Sequence, residues 1–360
     1  MRFNLPEPRL VAEARQQIRR TRNYSIPLEL IIEILIFIAV FMASAFVFEG
    51  AIASIGMIPL IFTSETFIET METAVASGQY DLSMENIMEI SEALMSSPAM
   101  VILTLFATLG AIIAVFLYCR LIEKRRLSTL GFTRGHAVRE YLVGALIGCL
   151  LFSLAILICL LTNTLTFEGL TLGSLGILVL FFFGFLIQGL SEEVMCRGYF
   201  MVSLARKQSL AVAVLVSSSA FGALHLFNTA VQPLAILNII LFGCLAGVYM
   251  LKRGNIWGVA AMHSLWNFVQ GNIYGIHVSG MEEMPSLLSF SPTEAGTLIN
   301  GGAFGLEGGL AVTIVLVVAL LIALLMKASN PAPQVMPIDG AQAQVVIMPG
   351  SQPLPHTTQK

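Results

Sequence analysis

Long apolar runs separated by short polar segments fill most of the chain from residue 28 onward. A run of about 20 apolar residues is long enough to cross the hydrocarbon core of a bilayer as a helix. The pattern therefore predicts an all-α, polytopic integral membrane protein with about eight transmembrane helices. The predicted spans are residues 28–48, 99–119, 141–162, 172–205, 209–226, 233–251, 256–275 and 309–326.

Two apolar runs differ in length from a simple span. Residues 51–62 are too few to cross alone, and we expect them to be interfacial or re-entrant. Residues 172–205 are too many for a perpendicular helix, so we expect this segment to be tilted, broken or partly immersed in the bundle. The third span contains Gly144 and Gly148, a GxxxG pair that permits close approach of another helix.

The polar segments divide the chain into four regions. Residues 1–27 contain six arginines and are predicted to form a cytoplasmic basic arm. Residues 28–119 are predicted to form an N-terminal transmembrane region with an acidic extracytoplasmic loop at 63–98. Residues 120–327 form the membrane core. The Pro- and Gln-rich residues 328–360 are predicted to be a disordered cytoplasmic tail.

Composition and charge agree with a membrane protein of this topology. The chain of 360 residues is 56% hydrophobic and 11% charged, whereas a soluble domain carries about 25% charged residues. Loops 63–98 and 276–308 contain glutamates but no Lys or Arg, and residues 120–139 contain five arginines and one lysine. Cytoplasmic loops carry the excess of Lys and Arg, so both termini of this multi-pass protein are expected in the cytoplasm. In a prokaryote it would lie in the cell membrane. The chain has no basic patch with interleaved aromatic residues, so no nucleic-acid partner is expected.

An ionisable cluster interrupts the fourth span. It consists of Glu192, Glu193 and Arg197, and a single charge at the bilayer centre costs roughly 2.5–3.5 kcal/mol. Glu193 and Arg197 are four residues apart on a helix, so they can form an ion pair. Glu192 is rotated by about 100° from Glu193 and is expected to have no such local partner. We interpret the unpaired carboxylate as a candidate for chemistry. The alternative is a buried cluster of polar side chains that only holds helices together.

The spacing from a basic turn places a histidine beside Glu192. Glu192 lies 15 residues before Lys207, and His225 lies 16 residues after Ser209. At a rise of 1.5 Å per residue, each is roughly 23 Å from the turn. On antiparallel helices the two side chains are therefore predicted to meet at nearly the same level.

Two further polar residues share one face of the seventh span. His263 and Asn267 are four residues apart, and they lie 10 and 14 residues past Arg253. The two residues therefore lie roughly 15–21 Å along the helix from this basic turn. A tilt of the helix would bring them to the level of Glu192 and His225. We therefore predict that a Glu, two His and an Asn converge in one buried pocket that opens toward the cytoplasmic half of the membrane.

The sequence excludes several known intramembrane mechanisms. The only aspartates, Asp81 and Asp339, lie outside the predicted spans, so no aspartyl pair is available. The zinc-protease string His-Glu-x-x-His is absent. A dyad of a histidine with Ser191 or Ser264 stays open, although neither serine lies in a Gly-x-Ser-x-Gly context. What remains is a glutamate that acts on water with help from two histidines and an asparagine.

Three strings in the core resemble the motifs of a known family, the CAAX-protease and bacteriocin-processing (CPBP) family, in order and spacing. The strings are Glu192-Glu193-x-x-x-Arg197, Phe221-x-x-x-His225 and His263-x-x-x-Asn267. This family includes type II CAAX prenyl endopeptidases and bacterial bacteriocin-immunity proteins. The motif region spans about 190–270, which makes residues 120–327 a CAAX-protease-like membrane core.

The resemblance implies an intramembrane endopeptidase that hydrolyses a peptide bond of a membrane-associated peptide or protein. Glu192 would be the general base that activates water, and His225 would help to hold or polarise that water. His263 and Asn267 would stabilise the oxyanion of the tetrahedral intermediate. The expected supporting residues are Glu193 and Arg197, which would fix the site, and Phe221, which would pack.

The resemblance leaves the metal question open. Two histidines and a carboxylate, His225, His263 and Glu192, resemble a catalytic zinc set with an open position. A zinc metalloprotease and a metal-free endopeptidase are therefore both compatible with the residues.

Two functions of other classes also stay open. A non-catalytic immunity or binding protein could retain the motif residues as a structural polar cluster. A transporter could line a substrate path with the same charges, but the chain shows no inverted repeat. We favour the endopeptidase, because a purely structural polar cluster would not need His263 and Asn267 on one face of the seventh span. Its expected partners are the lipid bilayer and a peptide or protein substrate at the membrane.

Overall fold

Helices dominate the protein in its computed structural model, and the predicted all-α class is confirmed. The part of the chain that the structure describes comprises residues 5, 7–17, 26–63, 65–77, 88, 91, 94, 97–171, 175–281, 284–329, 334–335 and 345–346.

The longer helices follow one another along the chain with short connections. They are α1 (Arg9–Gln16), α2 (Pro27–Thr63), α3 (Glu65–Ser77), α4 (Pro98–Ile122), α5 (Ala137–Leu161), α6 (Leu175–Ala205), α7 (Leu210–Leu224), α8 (Pro233–Arg253), α9 (Trp257–Phe268) and α10 (Leu310–Leu325). π-helical turns lie within or after four of them, at Ser44–Glu49, Tyr118–Ile122, Val194–Met201 and Val269–Ile273.

Short elements complete the secondary structure. The strands are β1 (Leu165–Leu170), β2 (Leu288–Pro292), β3 (Gln334–Val335) and β4 (Val345–Val346). The short helical turns are Leu127–Leu130, Glu294–Gly296, Thr297–Asn300, Gly302–Phe304 and Leu306–Gly308.

Each predicted span coincides with one of these helices. In the described part of the chain, α2, α4, α5, α6 and α8 are long and apolar enough to cross a membrane. Helices α7 and α10 are apolar but shorter, with 15 and 16 residues, and α9 has 12 residues before its π-helical turn. A polytopic membrane protein is therefore confirmed, and the count of eight crossings stays a prediction.

The expectation that residues 51–62 form a separate interfacial or re-entrant segment is wrong. Helix α2 continues through its π-helical turn and ends at Thr63, so it has 37 residues. Gly110 of α4 lies against this turn, where a Cβ atom would be only 2.8 Å from the backbone nitrogen of Glu49. The missing side chain lets α4 pack directly on the turn, and Glu49 lies within a helix rather than beyond its end.

The long fourth run is one helix whose second half is immersed in the bundle, as predicted. Helix α6 has 31 residues. Every residue from Val194 to Ala205 is buried, which includes the whole π-helical turn of α6. A charged residue in this half is therefore surrounded by protein rather than by lipid.

The described residues of the predicted basic arm pack on the bundle. Arg15 donates to the backbone oxygen of Ala205 at the C-terminus of α6, at 2.8 Å. The backbone amide of Arg126 donates to the side-chain oxygen of Gln17 at 2.9 Å. The apolar side of α1 is buried, and its buried residues are Leu10, Val11 and Ala14. Helix α1 therefore joins the end of α6 to the loop that follows α4.

The basic turns gather at the same end of the bundle, which we call the basic end. The backbone amide of Ile256, after α8, donates to the backbone oxygen of Gly131 in the loop after α4, at 3.1 Å. Lys207, after α6, lies 3.6 Å from Glu29 at the start of α2. This clustering agrees with the charge pattern, although the membrane side that the basic end faces stays a prediction.

The opposite end carries a two-stranded sheet that the apolar pattern did not predict. Strands β1 and β2 pair antiparallel, with Leu165 opposite Pro292 and Leu170 opposite Leu288. The α5–α6 connection therefore lies beside the segment after α9, and we call this the sheet end. Both segments were predicted on the same side of the membrane.

Close contact between α5 and α9 confirms the predicted role of the GxxxG pair. A Cβ atom on Gly144 would be 1.9 Å from the backbone oxygen of Gly258, and one on Gly148 would be 2.3 Å from that of Met262. Only glycine permits this approach. The contact positions the helix that carries His263, which directly follows Met262.

Parts of the predicted loop and tail lie outside the described residues. Within the acidic loop 63–98, the structure describes helix α3 and a few further positions. The predicted disorder of 328–360 falls almost entirely on residues that the structure does not describe, and β3 pairs antiparallel with β4 in the described remainder.

Candidate active site

A cavity of about 490 Å³ lies among α2, α4, α6, α7, α8, α9 and α10. All four predicted catalytic residues line it. Glu192 lies on α6, His225 directly follows α7, and His263 and Asn267 lie on α9. The predicted convergence of the three motifs is therefore confirmed, and the chemical roles of these residues stay predictions.

The cavity is bounded by loops of the sheet end, not by the basic turns. Its lining includes Asn228 and Thr229 after α7, residues 278–281, and Glu307 before α10, whereas no residue of the turns after α6 and α8 lines it. The cavity therefore lies toward the sheet end, and its predicted opening toward the cytoplasmic half stays a prediction, because the membrane side of each end is one too. A helix length of roughly 23 Å from the basic end passes the middle of a hydrocarbon core about 30 Å thick.

Glu193 and Arg197 form the predicted ion pair. Arg197 Nη1 lies 3.1 Å from Glu193 Oε1, and both side chains are fully buried. The guanidinium carbon lies 4.3 Å from the centre of the Phe221 ring, a cation–π contact between α6 and α7. A Cβ atom on Gly243 of α8 would be 3.0 Å from Arg197 Nη2, so this glycine makes room for the guanidinium. These contacts agree with a structural role.

His263 lies between the two glutamates of α6. Its Nδ1 is 2.9 Å from Glu193 Oε1, and its Nε2 is 3.5 Å from Glu192 Oε2. With Nδ1 assigned as the donor to Glu193, Nε2 is the nitrogen that faces Glu192. The sequence did not predict the contact of His263 with Glu193. The buried Glu193 carboxylate therefore has two partners, Arg197 and His263.

Gln188 joins Glu192 to Asn267, and the sequence analysis missed it. Gln188 Nε2 donates to Glu192 Oε1 at 2.6 Å, and Gln188 Oε1 accepts from Asn267 Nδ2 at 3.1 Å. The sequence analysis predicted no local ion-pair partner for Glu192, and the local partner that the structure shows is a neutral hydrogen-bond donor. The signal was present, because a residue four positions before Glu192 lies on the same helix face.

Glu192 keeps one carboxylate oxygen without a donor. Among the residues that the structure describes, Oε2 is buried and has no hydrogen-bond partner. The Glu192 side chain is 30% exposed, and it lines the cavity. A carboxylate that is anchored through one oxygen can accept a proton from water through the other.

His225 lines the cavity without a described hydrogen bond to Glu192 or His263. Its Nδ1 donates to the backbone oxygen of Phe221 at 2.8 Å, so Nε2 carries the lone pair in the neutral ring. The Phe221 ring packs against both imidazoles, with centroids 4.8 Å from His225 and 5.8 Å from His263. Its predicted packing role agrees with these contacts.

The two candidate serines contact backbone rather than histidine. Ser191 Oγ donates to the backbone oxygen of Gln188 at 2.8 Å, and Ser264 Oγ donates to that of Leu186 at 3.4 Å. Neither hydroxyl reaches a histidine ring through a described hydrogen bond. The arrangement therefore does not support the serine–histidine dyad that the sequence left open.

The predicted zinc ligands are not assembled as a set. In the described part of the chain, no group of three His, Cys, Asp or Glu side chains is placed to hold a metal ion. Glu192 and His263 are neighbours, but Nδ1 of His225 is bonded to the backbone. Imidazole and carboxylate groups suit zinc, but the positions of His225, His263 and Glu192 do not form a zinc site in this structure. The use of zinc therefore stays a prediction.

Comparison with known families covers the segment that contains all three motifs. Residues 174–269 match a family model described as type II CAAX prenyl endopeptidase Rce1-like. The match extends from α6 through α9 and confirms the resemblance to the CPBP family. No curated protein and no solved structure matches the chain.

Proposed function

We propose that the protein is an intramembrane endopeptidase that hydrolyses a peptide bond of a membrane-associated peptide or protein, with Glu192 as the general base. The observation that carries this proposal is the Glu192 side chain in the wall of the cavity, where it is 30% exposed and its Oε2 accepts no hydrogen bond from the described residues. Gln188 anchors the other oxygen, and His263 and Asn267 lie beside it. The family match supports CAAX-type proteolysis in general.

The proposed reaction is the addition of water to the scissile peptide bond. Glu192 takes a proton from a water molecule while the water oxygen bonds to the carbonyl carbon. The carbonyl oxygen becomes an oxyanion. The C–N bond then breaks as Glu192 delivers the proton to the leaving nitrogen. The products are a new carboxylic acid and a new amine, and the proton that remains on the acid passes to the amine. General acid–base catalysis of this kind contributes about 10²–10⁴-fold to the rate.

Asn267 and His263 are the proposed donors to the oxyanion. Asn267 uses one N–H on Gln188, so its second N–H is available. His263 Nε2 faces Glu192 and can donate when it carries a proton. Removal of one such donor from an oxyanion hole costs about 2.7–4 kcal/mol of transition-state stabilisation.

His225 is proposed to orient the attacking water. Because its Nδ1 donates to the Phe221 backbone, its Nε2 can accept a hydrogen bond from that water. We derive no step through zinc, because the described donors do not form a three-ligand set.

The substrate is proposed to enter from the sheet end or from the surrounding bilayer. The loop after α7 and residues 278–281 line the cavity at this end. If the charge pattern sets the topology, both termini are cytoplasmic and the sheet end is extracytoplasmic. With that topology, the cavity would open away from the cytoplasmic half, contrary to the prediction from the sequence.

A non-catalytic immunity or binding protein is the second candidate. The contacts among Glu193, Arg197 and His263 favour it, since they form a buried polar cluster that would hold α6 and α9 together without any reaction. Glu192 separates the two functions. Its side chain lines the cavity and is 30% exposed, whereas that of Glu193 is fully buried, and hydrolysis requires a carboxylate at the cavity.

The proposed function is tested by comparing protein termini in membranes that contain the wild type or Glu192→Gln at matched amounts. Proteolysis predicts a set of new N-termini that is present with the wild type and absent with the variant. Glu168→Gln, an exposed carboxylate on β1, is the control and is expected to match the wild type. Identical termini in all three samples would favour the non-catalytic candidate.

A further inference from the structure

Glu49 is a carboxylate in the wall of the cavity that belongs to none of the three motifs. It also lies outside residues 174–269, which match the family model. The sequence places it just after the predicted first span, 28–48, where a carboxylate would meet water. The continuation of α2 to Thr63 places it inside the helix instead.

The level of Glu49 in the bundle matches that of Glu192. Lys207 lies 3.9 Å from Glu33, and this contact marks one level at the basic end. Glu192 precedes Lys207 by 15 residues, and Glu49 follows Glu33 by 16 residues. Both carboxylates are therefore roughly 23–24 Å from that level, and both line the cavity.

The π-helical turn of α2 holds the Glu49 carboxylate from one side. The hydroxyl of Ser44, a fully buried residue, donates to Glu49 Oε1 at 2.7 Å. Gly110 of α4 fixes the backbone of the turn through close contact. No described hydrogen bond involves Glu49 Oε2, so the turn presents one carboxylate oxygen to whatever fills the cavity. Such π-helical insertions are frequent at functional sites.

The imidazoles of His225 and His263 are the only basic side chains in the described lining of the cavity, and His263 already lies beside Glu192. Within the described lining there is no lysine or arginine, and the carboxylates are Glu49, Glu192 and Glu307. Glu307 is satisfied, because it accepts hydrogen bonds from the Trp266 indole and from the amide and hydroxyl of Ser279. The apolar part of the wall includes Phe41, Phe185, Leu224, Phe227, Ile239 and Val312. A charge at this depth is costly without a partner, and a cation from the ligand would provide one.

We propose that Glu49 is a specificity-determining residue that binds the cationic side chain of a lysine or arginine close to the scissile bond of the substrate. This inference rests on the proposed endopeptidase function and names its substrate class, a basic peptide with apolar neighbours. The bound cation would neutralise the charge of Glu49 and leave Glu192 to act on water.

The test uses the full-length protein in phospholipid vesicles and a set of quenched fluorescent peptides. The peptides are apolar except for one position near the centre, which is Lys, norleucine or Glu. Wild type is expected to cleave the Lys peptides with a kcat/KM about tenfold above that of the norleucine peptides. Glu49→Gln should reduce this ratio to within about twofold of unity while it retains cleavage of the norleucine peptides. Glu168→Gln, which removes an exposed carboxylate on β1 outside the cavity lining, is the control and should keep the preference.

Several outcomes overturn the inference. A wild type that cleaves the Lys and norleucine peptides with equal kcat/KM contradicts it. This comparison tests the inference even if Glu49→Gln fails to accumulate. An unchanged ratio in folded Glu49→Gln also contradicts it, and both results leave the proposed function intact. Cellular cleavage sites that depend on Glu192 but lack nearby Lys or Arg would have the same consequence. If no peptide is cleaved and Glu192→Gln leaves the cellular termini unchanged, the proposed function fails and this inference fails with it.

Discussion

Two adjacent glutamates on α6 have different surroundings. Glu193 is fully buried against Arg197 and His263, whereas Glu192 faces the cavity with one oxygen anchored by Gln188. A helix rotates successive side chains by about 100°, so neighbouring carboxylates can point toward different helices. One residue can therefore hold the bundle together while the next one acts on a substrate.

Gln188 is the residue whose removal best separates positioning from folding. We expect Gln188→Ala to lower kcat about 100-fold with little change in KM, because Glu192 and Asn267 both lose the group that orients them. The measurement is steady-state peptide cleavage in vesicles. Ser191→Ala removes a hydroxyl that bonds only to the Gln188 backbone in the described contacts, and it should remain close to wild type. A rise in KM without a loss of kcat would contradict a positioning role.

The motif residues were predictable from the sequence, but their contacts with residues on other helices were not. The four-residue spacing of Glu193 and Arg197 predicts their ion pair, because it follows from helix geometry alone. The contact of His263 with Glu193 depends on how α9 packs against α6, which no local spacing reports. Glu49 was missed because a charge after a long apolar run resembles the end of a span, and the π-helical turn that continues α2 has no sequence signature here.

At the scale of elements, glycines set the distances between the helices that carry the site. Gly148 contacts the backbone of α9 at Met262, and a Cβ atom on Gly189 of α6 would be 2.5 Å from the hydroxyl of Ser264 on α9. Helix α9 is therefore held directly between α5 and α6. Its two site residues, His263 and Asn267, move only if these contacts change.

We expect Gly148→Ala to destabilise the protein by about 1–3 kcal/mol, because the new methyl group would meet a backbone oxygen that cannot rotate away. Gly176→Ala in α6 is the matched control, since a Cβ atom there has nothing within 4 Å. Thermal unfolding of the purified proteins in the same detergent is the measurement. Equal unfolding midpoints for the two variants would contradict the close contact of α5 with α9.

The elements themselves were largely predictable, since eight apolar runs correspond to eight helices. The sheet was not, because β1 and β2 are separated by more than a hundred residues and each strand lies in a polar connection. Such short strands form through long-range pairing rather than through a local pattern.

At the scale of the whole molecule, the bundle has a basic end and a sheet end, and the site lies nearer the sheet end. Counting residues from the basic turns predicted the common level of Glu192 and His225 correctly. It could not predict the opening, because a count gives the distance from one end and the opening depends on loops such as 278–281 at the other.

Cysteine labelling tests the orientation of these two ends. In a variant without the five native cysteines, Glu168→Cys on β1 should react with a membrane-impermeant maleimide in intact cells. Arg134→Cys, in the loop after α4, should react only after permeabilisation, because the basic end is expected in the cytoplasm. Both positions are exposed. Labelling of Arg134→Cys in intact cells would contradict the proposed topology.

The central claim is that Glu192 activates the water that cleaves the peptide, and the rate of cleavage by Glu192→Gln tests it most directly. The substitution keeps the shape and the anchoring amide contact on α6 while it removes the base. For purified protein in vesicles, with the amount of folded protein matched to wild type, we expect kcat to fall by about 10²–10⁴-fold. A kcat for Glu192→Gln equal to that of the wild type would contradict the claim.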